Sequence, residues 1–327
     1  MLRCFLPIVL QNTRVKDTEI VVADNGSTDS SLEYLQTQNV RIIELGKNYG
    51  FAEGYNLAIN QLDSEYVVLL NSDIEVTPHW LDYMLDYMDT HTSVLVTQPK
   101  ILSWHSKQDI DSGKSLYARF EHAGAAGGMI DILGYPYCRG RIMSYTEEDK
   151  GQYNDVTPIF WASGACLLIR TKIYKEIGGL DSLFFAHQEE IDLCWRLHNK
   201  FSLQTENAPL ITVFPKAVVY HVGGGTLEYE NPRKTFLNFR NNLLMVYKNA
   251  PRKHIWWLMA IRFFMDYLAV VQMIISKKIA NAKAVIHARH EFHKLKKQYK
   301  KNDVSQFPTL MSKRSIVLDF YLFKKKI

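Results

Sequence analysis

Cysteine is scarce in this chain. Four residues, Cys4, Cys138, Cys166 and Cys194, are spread over 327 positions, too far apart to mark a zinc site or a redox pair. Their sparseness suits a reducing, cytoplasmic setting. Long apolar runs are also missing. The longest, residues 255–261, ends at Arg262, far short of the ~18 residues expected of a membrane-spanning helix. No internal repeat is visible. Arg3 and the apolar residues 4–10 imitate a signal peptide, yet Gln11, Asn12 and Thr13 stand where small cleavage-site residues belong, so this stretch reads as an amphipathic helix.

What is present is the makeup of a globular protein. Apolar residues form 47% of the chain and charged ones 22%, enough for one large core plus an appendage. The net charge of +5 hides a division at Pro232. Residues 1–232 carry 18 basic and 30 acidic side chains, a balance of −12, and residues 233–327 carry 21 and 4, a balance of +17. A basic tail of this size suits an anionic membrane surface or nucleic acid. The acidic remainder would repel nucleic acid, which leaves a peripheral membrane contact as the expected partner and no nucleic acid. Two regions follow from this, 1–232 and a basic, aromatic-rich helical region 233–327.

Short strand-like runs at 19–23, 40–45, 66–70 and 93–97 alternate with helical patterns at 51–62 and 80–88, an α/β rhythm. The expected fold is an open, mostly parallel sheet with helices on both faces, followed by a helical extension. Such sheets bind ligands outside the carboxyl ends of their strands. Residues 103–157 lose the rhythm in glycine, tyrosine and charge and read as an irregular lid or acceptor loop. Strand and helix patterns return at 164–170 and 174–177. Beyond Pro232, residues 255–276 could lie on a membrane, span it, or pack on the domain. Trp256 and Trp257 at one end, with Lys277, Lys278, Lys283 and Arg289 beyond the other, favour a helix lying in the interface.

The polar residues after each strand carry the chemistry. Asn71, Ser72 and Asp73 follow 66–70. Asn71 and Asp73 set two oxygen-bearing side chains where they could hold a hard cation and a diphosphate, although such a tripeptide is more often an Asx turn. Asp24, Asn25 and Asp29 follow the first strand. Asp29 or Ser30 should cap the next helix, and Asp24 could receive nucleobase or ribose donors. Asn48, Gly50, Gly54 and Asn56 open another helix, where glycine permits close backbone approach to a ligand. Glu189, Glu190 and Asp192 crowd a helix start. The helix dipole explains acids there, but one could serve as a general base. His221 could be a core histidine or reach a metal.

The order of these sets resembles the family 2 inverting glycosyltransferases, particularly their rhamnosyltransferase-like bacterial branch. The matching segments are DNGSTDSS at 24–31, NYGFAEGYN at 48–56, NSD at 71–73, SGACLLIR at 163–170, GGLDSLFF at 178–185 and EEIDLCWR at 189–196. The resemblance implies a GT-A fold, a UDP- or dTDP-linked sugar donor, Mg²⁺ or Mn²⁺, and single displacement with inversion onto a glycan or lipid-linked acceptor at the inner face of the cell membrane. Asp24 corresponds to the family's nucleotide-binding acid and Asp73 to the metal ligand of its DXD-like motif, with Asn71 in place of the first aspartate. Glu190 stands at the position of the catalytic base, with Glu189 and Asp192 as rivals. His221 resembles a downstream histidine that completes metal or diphosphate binding.

The resemblance also implies a buried strand ahead of the helix that starts at Leu2. This chain begins inside that helix, so the first sheet strand is expected to be missing, Met1 to be a misassigned or truncated start, and two strand edges to be exposed. An alternative reading follows, a nucleotide- or glycan-binding protein impaired in catalysis. A nucleotidyltransferase falls further behind, because the basic, glycine-rich phosphate loop expected near the start is missing.

Overall fold

The computed structural model describes residues 1–202, 208–223, 231–300 and 303–324. The alternation read from the sequence is there. In order come α1 (Leu2–Asn12), β1 (Val21–Asp24), α2 (Ser31–Gln36), β2 (Arg41–Glu44), α3 (Gly50–Ile59), β3 (Tyr66–Leu70), β4 (Ile74–Val76), α4 (Trp80–Thr90) and β5 (Val96–Ser103). Helix α1 is amphipathic as expected and buries Phe5, Leu6 and Val9. Helix α4 buries Trp80, Leu81, Met84 and Met88, a stripe at the helical period that seats it on the sheet.

The insert is more ordered than its composition suggests. It holds α5 (Trp104–Asp111) and short strands β6 (Gly128–Ile130), β7 (Pro136–Cys138), β8 (Arg141–Ile142), β9 (Tyr145–Thr146) and β10 (Thr157–Pro158). Strands β6 to β9 form a separate antiparallel sheet. Two- and three-residue strands are too short to show a period of two, which corrects the expectation of an irregular loop.

The chain then continues through β11 (Cys166–Arg170), α6 (Thr171–Glu176), α7 (Glu189–Phe201) and β12 (Ile211–His221). The larger sheet runs β10-β12-β5-β11-β3, with β4 paired to β12. It is mixed rather than mostly parallel. Strands β5 and β12 are parallel, but β11 lies antiparallel between β3 and β5. The insert sits at the carboxyl end of β5, so the chain re-enters the sheet from that end and β11 must run the other way. Its first residues therefore join the carboxyl-end rim.

Strands β1 and β2 pair in parallel as a sheet of their own. Strand β3 ends the larger sheet. Among the described residues β1, β2 and β3 each keep one edge without a strand.

Four helices complete the described chain: α8 (Pro232–Asn249), α9 (Ile255–Ile275), α10 (Ile279–Leu295) and α11 (Ile316–Tyr321). Pro232 occupies the first turn of α8, and the Asn231 side chain accepts from the Arg233 N–H, a strong helix start. The charge boundary at Pro232 is not a packing boundary. Leu243, Leu244, Met245 and Val246 of α8 are buried in one core with Leu167 and Ile169 of β11 and Trp195 of α7. Burying four such side chains is worth roughly 6–12 kcal/mol before opposing terms, comparable to the net stability of a whole domain.

Candidate active site

Backbone register builds the first half of the site. Pairing of β4 with β12 sets Ile74 opposite His221, and the Asp73 carbonyl accepts from the Val222 N–H. Asp73 and His221, distant in sequence, thus become neighbours, with Asp73 Oδ1 3.2 Å from His221 Nε2. The insert supplies a third group. Glu121 Oε2 lies 3.2 Å from His221 Nδ1, and the same carboxylate accepts from the Ala123 N–H. Burial alone would lower the imidazole's pKa, but the flanking Asp73 and Glu121 raise it to about 9. Burial pushes the Glu121 carboxyl up, and His221 outweighs it and holds it below the usual carboxylate value. Of the glycines after His221, Gly224 and Gly225 lie outside the described residues.

The second half is the start of α7. Glu189 is buried and its Oε2 has no hydrogen-bond partner among the described residues. Burial and then the neighbouring Glu190 raise its carboxyl well above the ordinary range. Glu190 is half-buried, and burial raises it to about 7. Gly164 faces it. A Cβ on Gly164 would stand 3.6 Å from that of Glu190 and 3.2 Å from the Phe51 ring. The next residue, Ala165, accepts from the Asn71 N–H at 2.9 Å, so the loop carrying Asp73 and the Glu190 helix meet at one rim.

Asp192, the third acid of this turn, is not available for chemistry. It is fully buried and paired with Arg196 (2.8 Å), Lys248 (2.9 Å) and the Asn249 amide (2.7 Å). Burial pushes its carboxyl up, and the two cations outweigh it and hold it below its usual value. Its role is structural, joining α7 to α8, and this corrects its candidacy as a base.

The glycine-rich loops also serve the framework more than sequence suggested. The Asp24 carboxylate accepts from Gly26 and Ser27 N–H. Asp29 is exposed and accepts from the Ser31 N–H at the start of α2, whose N-cap residue Ser30 makes no side-chain cap. Asn25 donates to the Gly50 carbonyl and accepts from the Tyr49 N–H, tying the first loop to the second. The Asn48 side chain accepts from the Gly50 N–H. At Gly50, with φ +82°, the space a side chain would take is filled by Phe185. At Gly54 it is filled by the Asn25 amide. These glycines make room for protein rather than ligand. Asn56 is likewise spent, accepting from Tyr174 Oη (2.6 Å) and Leu180 N–H (2.9 Å) and donating to the Leu180 carbonyl (2.8 Å). Its amide secures the Gly178-Gly179 turn. Ser72 is exposed and Asn71 half-buried at the rim beside Asp73.

Sequence reasoning missed the groups that hold α7 in position. Phe185, His187 and Gln188 all have φ between 64° and 75°, a conformation costly for side chains of this size. Three consecutive residues of α8 hold that loop. Arg240 donates to the carbonyls of Leu183 and Phe184. Asn241 donates to those of Phe184, Ala186 and His187 at 2.8–2.9 Å. Asn242 donates to Gln188 Oε1 and the Gly134 carbonyl. The polar run Arg240, Asn241 and Asn242, set directly before the apolar run 243–246 of the same helix, was the available signal. Glu121, isolated in the insert, offered none.

Among the described residues no three His, Cys, Asp or Glu side chains are arranged to hold a metal ion. Asp73 and His221 do converge, a carboxylate oxygen and an imidazole nitrogen. A cation that takes its other ligands from a diphosphate and water needs no more from the protein than one or two such groups.

Residues 1–178 match the profile of glycosyl transferase family 2. Over 195 residues the chain is 27% identical to N-acetylglucosaminyl-diphospho-decaprenol L-rhamnosyltransferase of Mycobacterium tuberculosis, covering 56% of this chain and 61% of the relative. It is 23% identical over 230 residues to the low-salt glycan biosynthesis hexosyltransferase Agl10 of Haloferax volcanii, covering 69% and 66%. The chain therefore spans somewhat less than two thirds of these relatives. Among solved structures, S. aureus TarS 1–349 in complex with UDP-GlcNAc is similar at a TM-score of 0.53 and 15% identity, over 89% of this chain and 76% of that one. GalNAc-T7 with UDP, GalNAc and Mn²⁺ reaches the same score and identity over 76% and 45%. At that identity the likeness speaks for the fold, a GT-A glycosyltransferase architecture. Glu190 and His221 lie beyond the matched stretch, and their assignment rests on geometry. The stretch itself holds Asp24, the Asn48 loop and Asp73 and covers more than half of the sequence, and with it the chain belongs to glycosyl transferase family 2.

Proposed function

We propose that the protein transfers a sugar from a UDP- or dTDP-linked donor to an acceptor hydroxyl with inversion at the anomeric carbon, in cell-envelope polysaccharide synthesis. The observation that carries this reading is Glu190, a carboxylate raised to about 7 behind the side-chain-free Gly164, on the same rim as Asp73. The acceptor oxygen attacks the anomeric carbon while Glu190 takes its proton. The bond from that carbon to the diphosphate oxygen breaks, and the nucleoside diphosphate leaves with the electron pair. A base near neutrality suits this step.

Asp24 and the loop it shapes, with Asn25, Asp29 and Asn48, border the nucleotide side of the site. Asn71, Ser72 and Asp73 border the diphosphate. Asp73 and His221, with Asn71 nearby, would hold Mg²⁺ or Mn²⁺ once the proton between Asp73 and His221 Nε2 is given up, and the bound ion would neutralise charge on the departing diphosphate. Glu121 on the far ring nitrogen would fix the imidazole's orientation and tautomer.

The +17 charge of residues 233–327 supports an acceptor carried by a lipid and work at the cytoplasmic face of the cell membrane. The test is a donor screen with membrane extract and Mn²⁺, following nucleoside diphosphate release. Transfer is expected to be lost in both Asp73→Ala and Glu190→Gln with folding intact. Donor binding by calorimetry without transfer or hydrolysis would favour the alternative of a binding protein impaired in catalysis.

A further inference from the structure

Helix α9 is built inside out. Its buried positions recur every four residues at Leu258, Arg262, Asp266 and Val270, so both of its charged residues face the protein. Arg262 donates to Asn242 Oδ1 (2.5 Å) and the Leu133 carbonyl (3.0 Å). Asp266 pairs with Arg289 of α10 at 2.5 Å. The opposite face is apolar and open, with Trp256 75% exposed, Phe264 67%, Leu268 63% and Ile275 77%, joined by Phe263, Val271 and Ile274. A helix at a water-facing surface shows the reverse pattern, and a contiguous exposed apolar face of this extent marks an interaction site.

Charge says what covers it. Arg252 and Lys253 at one end of α9 and Lys277, Lys278 and Lys283 at the other are all exposed. An open groove of ≈ 460 Å³ between α9 and α10 has Phe263, Phe264 and Met259 on one side and Arg289, His293 and Lys296 on the other. Apolar and aromatic groups framed by cations match the boundary between acyl chains and anionic headgroups. A second copy of this chain would bring the same cations against each other.

We propose that α9 beds lengthwise into one leaflet of an anionic phospholipid bilayer, with its aromatic face among the acyl chains and its cationic ends on the headgroups. By length and composition Arg252–Ile275 could cross a membrane. Crossing would pull Arg262 and Asp266 away from Asn242 and Arg289 into hydrocarbon, at a cost of several kcal/mol each. Lying flat keeps every one of these bonds. Of the three arrangements open at the sequence level, the helix lies on the membrane.

This inference deepens the reading of a membrane-borne acceptor, but its test needs neither donor nor acceptor. The full chain is mixed with vesicles of phosphatidylglycerol, or of phosphatidylcholine alone, and sedimented. Binding is expected to the former, at least tenfold weaker to the latter, and weakened by salt. Vesicles with bromine-labelled acyl chains should quench the indole fluorescence, and the quenching lost in Trp256→Phe is that of the α9 face. Phe264→Glu with Leu268→Glu alters two exposed side chains and should abolish binding while the circular dichroism spectrum stays unchanged. A chain that stays in the supernatant, a double variant that binds as well as the parent, or a dimer in solution that this variant dissociates, would each overturn the proposal. Failure of the donor screen with vesicle binding intact would sink the transferase reading and leave this one standing.

Discussion

Two regions bury acidic side chains and do opposite things with them. Along the seams of α8 with α7 and of α9 with α10, each buried acid meets cations, Asp192 with Arg196 and Lys248 and Asp266 with Arg289. At the start of α7, Glu189 is buried and Glu190 half-buried, neither with an ion-pair partner among the described residues, and both carboxyls are raised. A paired buried charge is part of the framework, because removing either partner strands the other. A carboxylate left unpaired at a rim costs stability, and the proposed role of Glu190 as base would account for its presence. Only two positions separate Glu190 from Asp192, and the neighbours of each decide between these roles.

The comparison breaks most sharply at Glu190. Glu190→Gln should lower kcat/KM by about 10²–10⁴-fold with the fold retained. In the parent, kcat/KM should rise with pH through about 7 as the base ionises. The sign for stability is opposite. A carboxyl raised from 4.5 to about 7 on folding contributes stability that is fully present below 4.5 and is lost as pH rises through about 7. Unfolding midpoints of the parent should therefore fall between pH 5 and 8, and those of Glu190→Gln should fall less. A flat activity profile across this range would remove Glu190 from the role of base.

Asp192→Ala sharpens the other side. It leaves Arg196 and Lys248 without their shared partner and should cost about 3–5 kcal/mol in denaturant unfolding. A smaller effect is expected at Asn241. Asn241→Ala leaves the Ala186 and His187 carbonyls without their side-chain donor, while Phe184 keeps Arg240, and should cost about 1–3 kcal/mol. It should also lower kcat with little change in donor KM, since the loop it releases leads directly into the turn of α7 that carries Glu190. Full stability and kcat in this variant would mean that the loop keeps its left-handed residues unaided.

How much of this was legible depended on distance along the chain. Strand β3 was read at its true limits, because Tyr66 to Leu70 is a clean apolar run. Strand β5 was placed several residues early, since Pro99 and Lys100 break its pattern. Lys100 is in fact buried against Asp149 and Asn154, partners some fifty residues away. The motif residues Asp24, Asp73 and Glu190 stand at strand ends and a helix start as the spacing implied. What could not be read was partnership. That Asn56 is saturated by Tyr174 and Leu180, that Asp192 is neutralised from α8, and that Glu121 backs His221 are facts of tertiary register, and local polarity looks the same whether a side chain awaits a ligand or already has a neighbour.

The core that runs through Pro232 also bears on handling. The +17 stretch invites removal when a soluble enzyme is wanted, yet a cut there takes away Lys248 and Asn249, which hold Asp192, and Asn241, which holds the loop ahead of Glu190. The shortened protein would lose its active site along with its stickiness. Solubility is better sought one side chain at a time at Trp256, Phe264, Leu268 and Ile275, the most exposed apolar residues of α9.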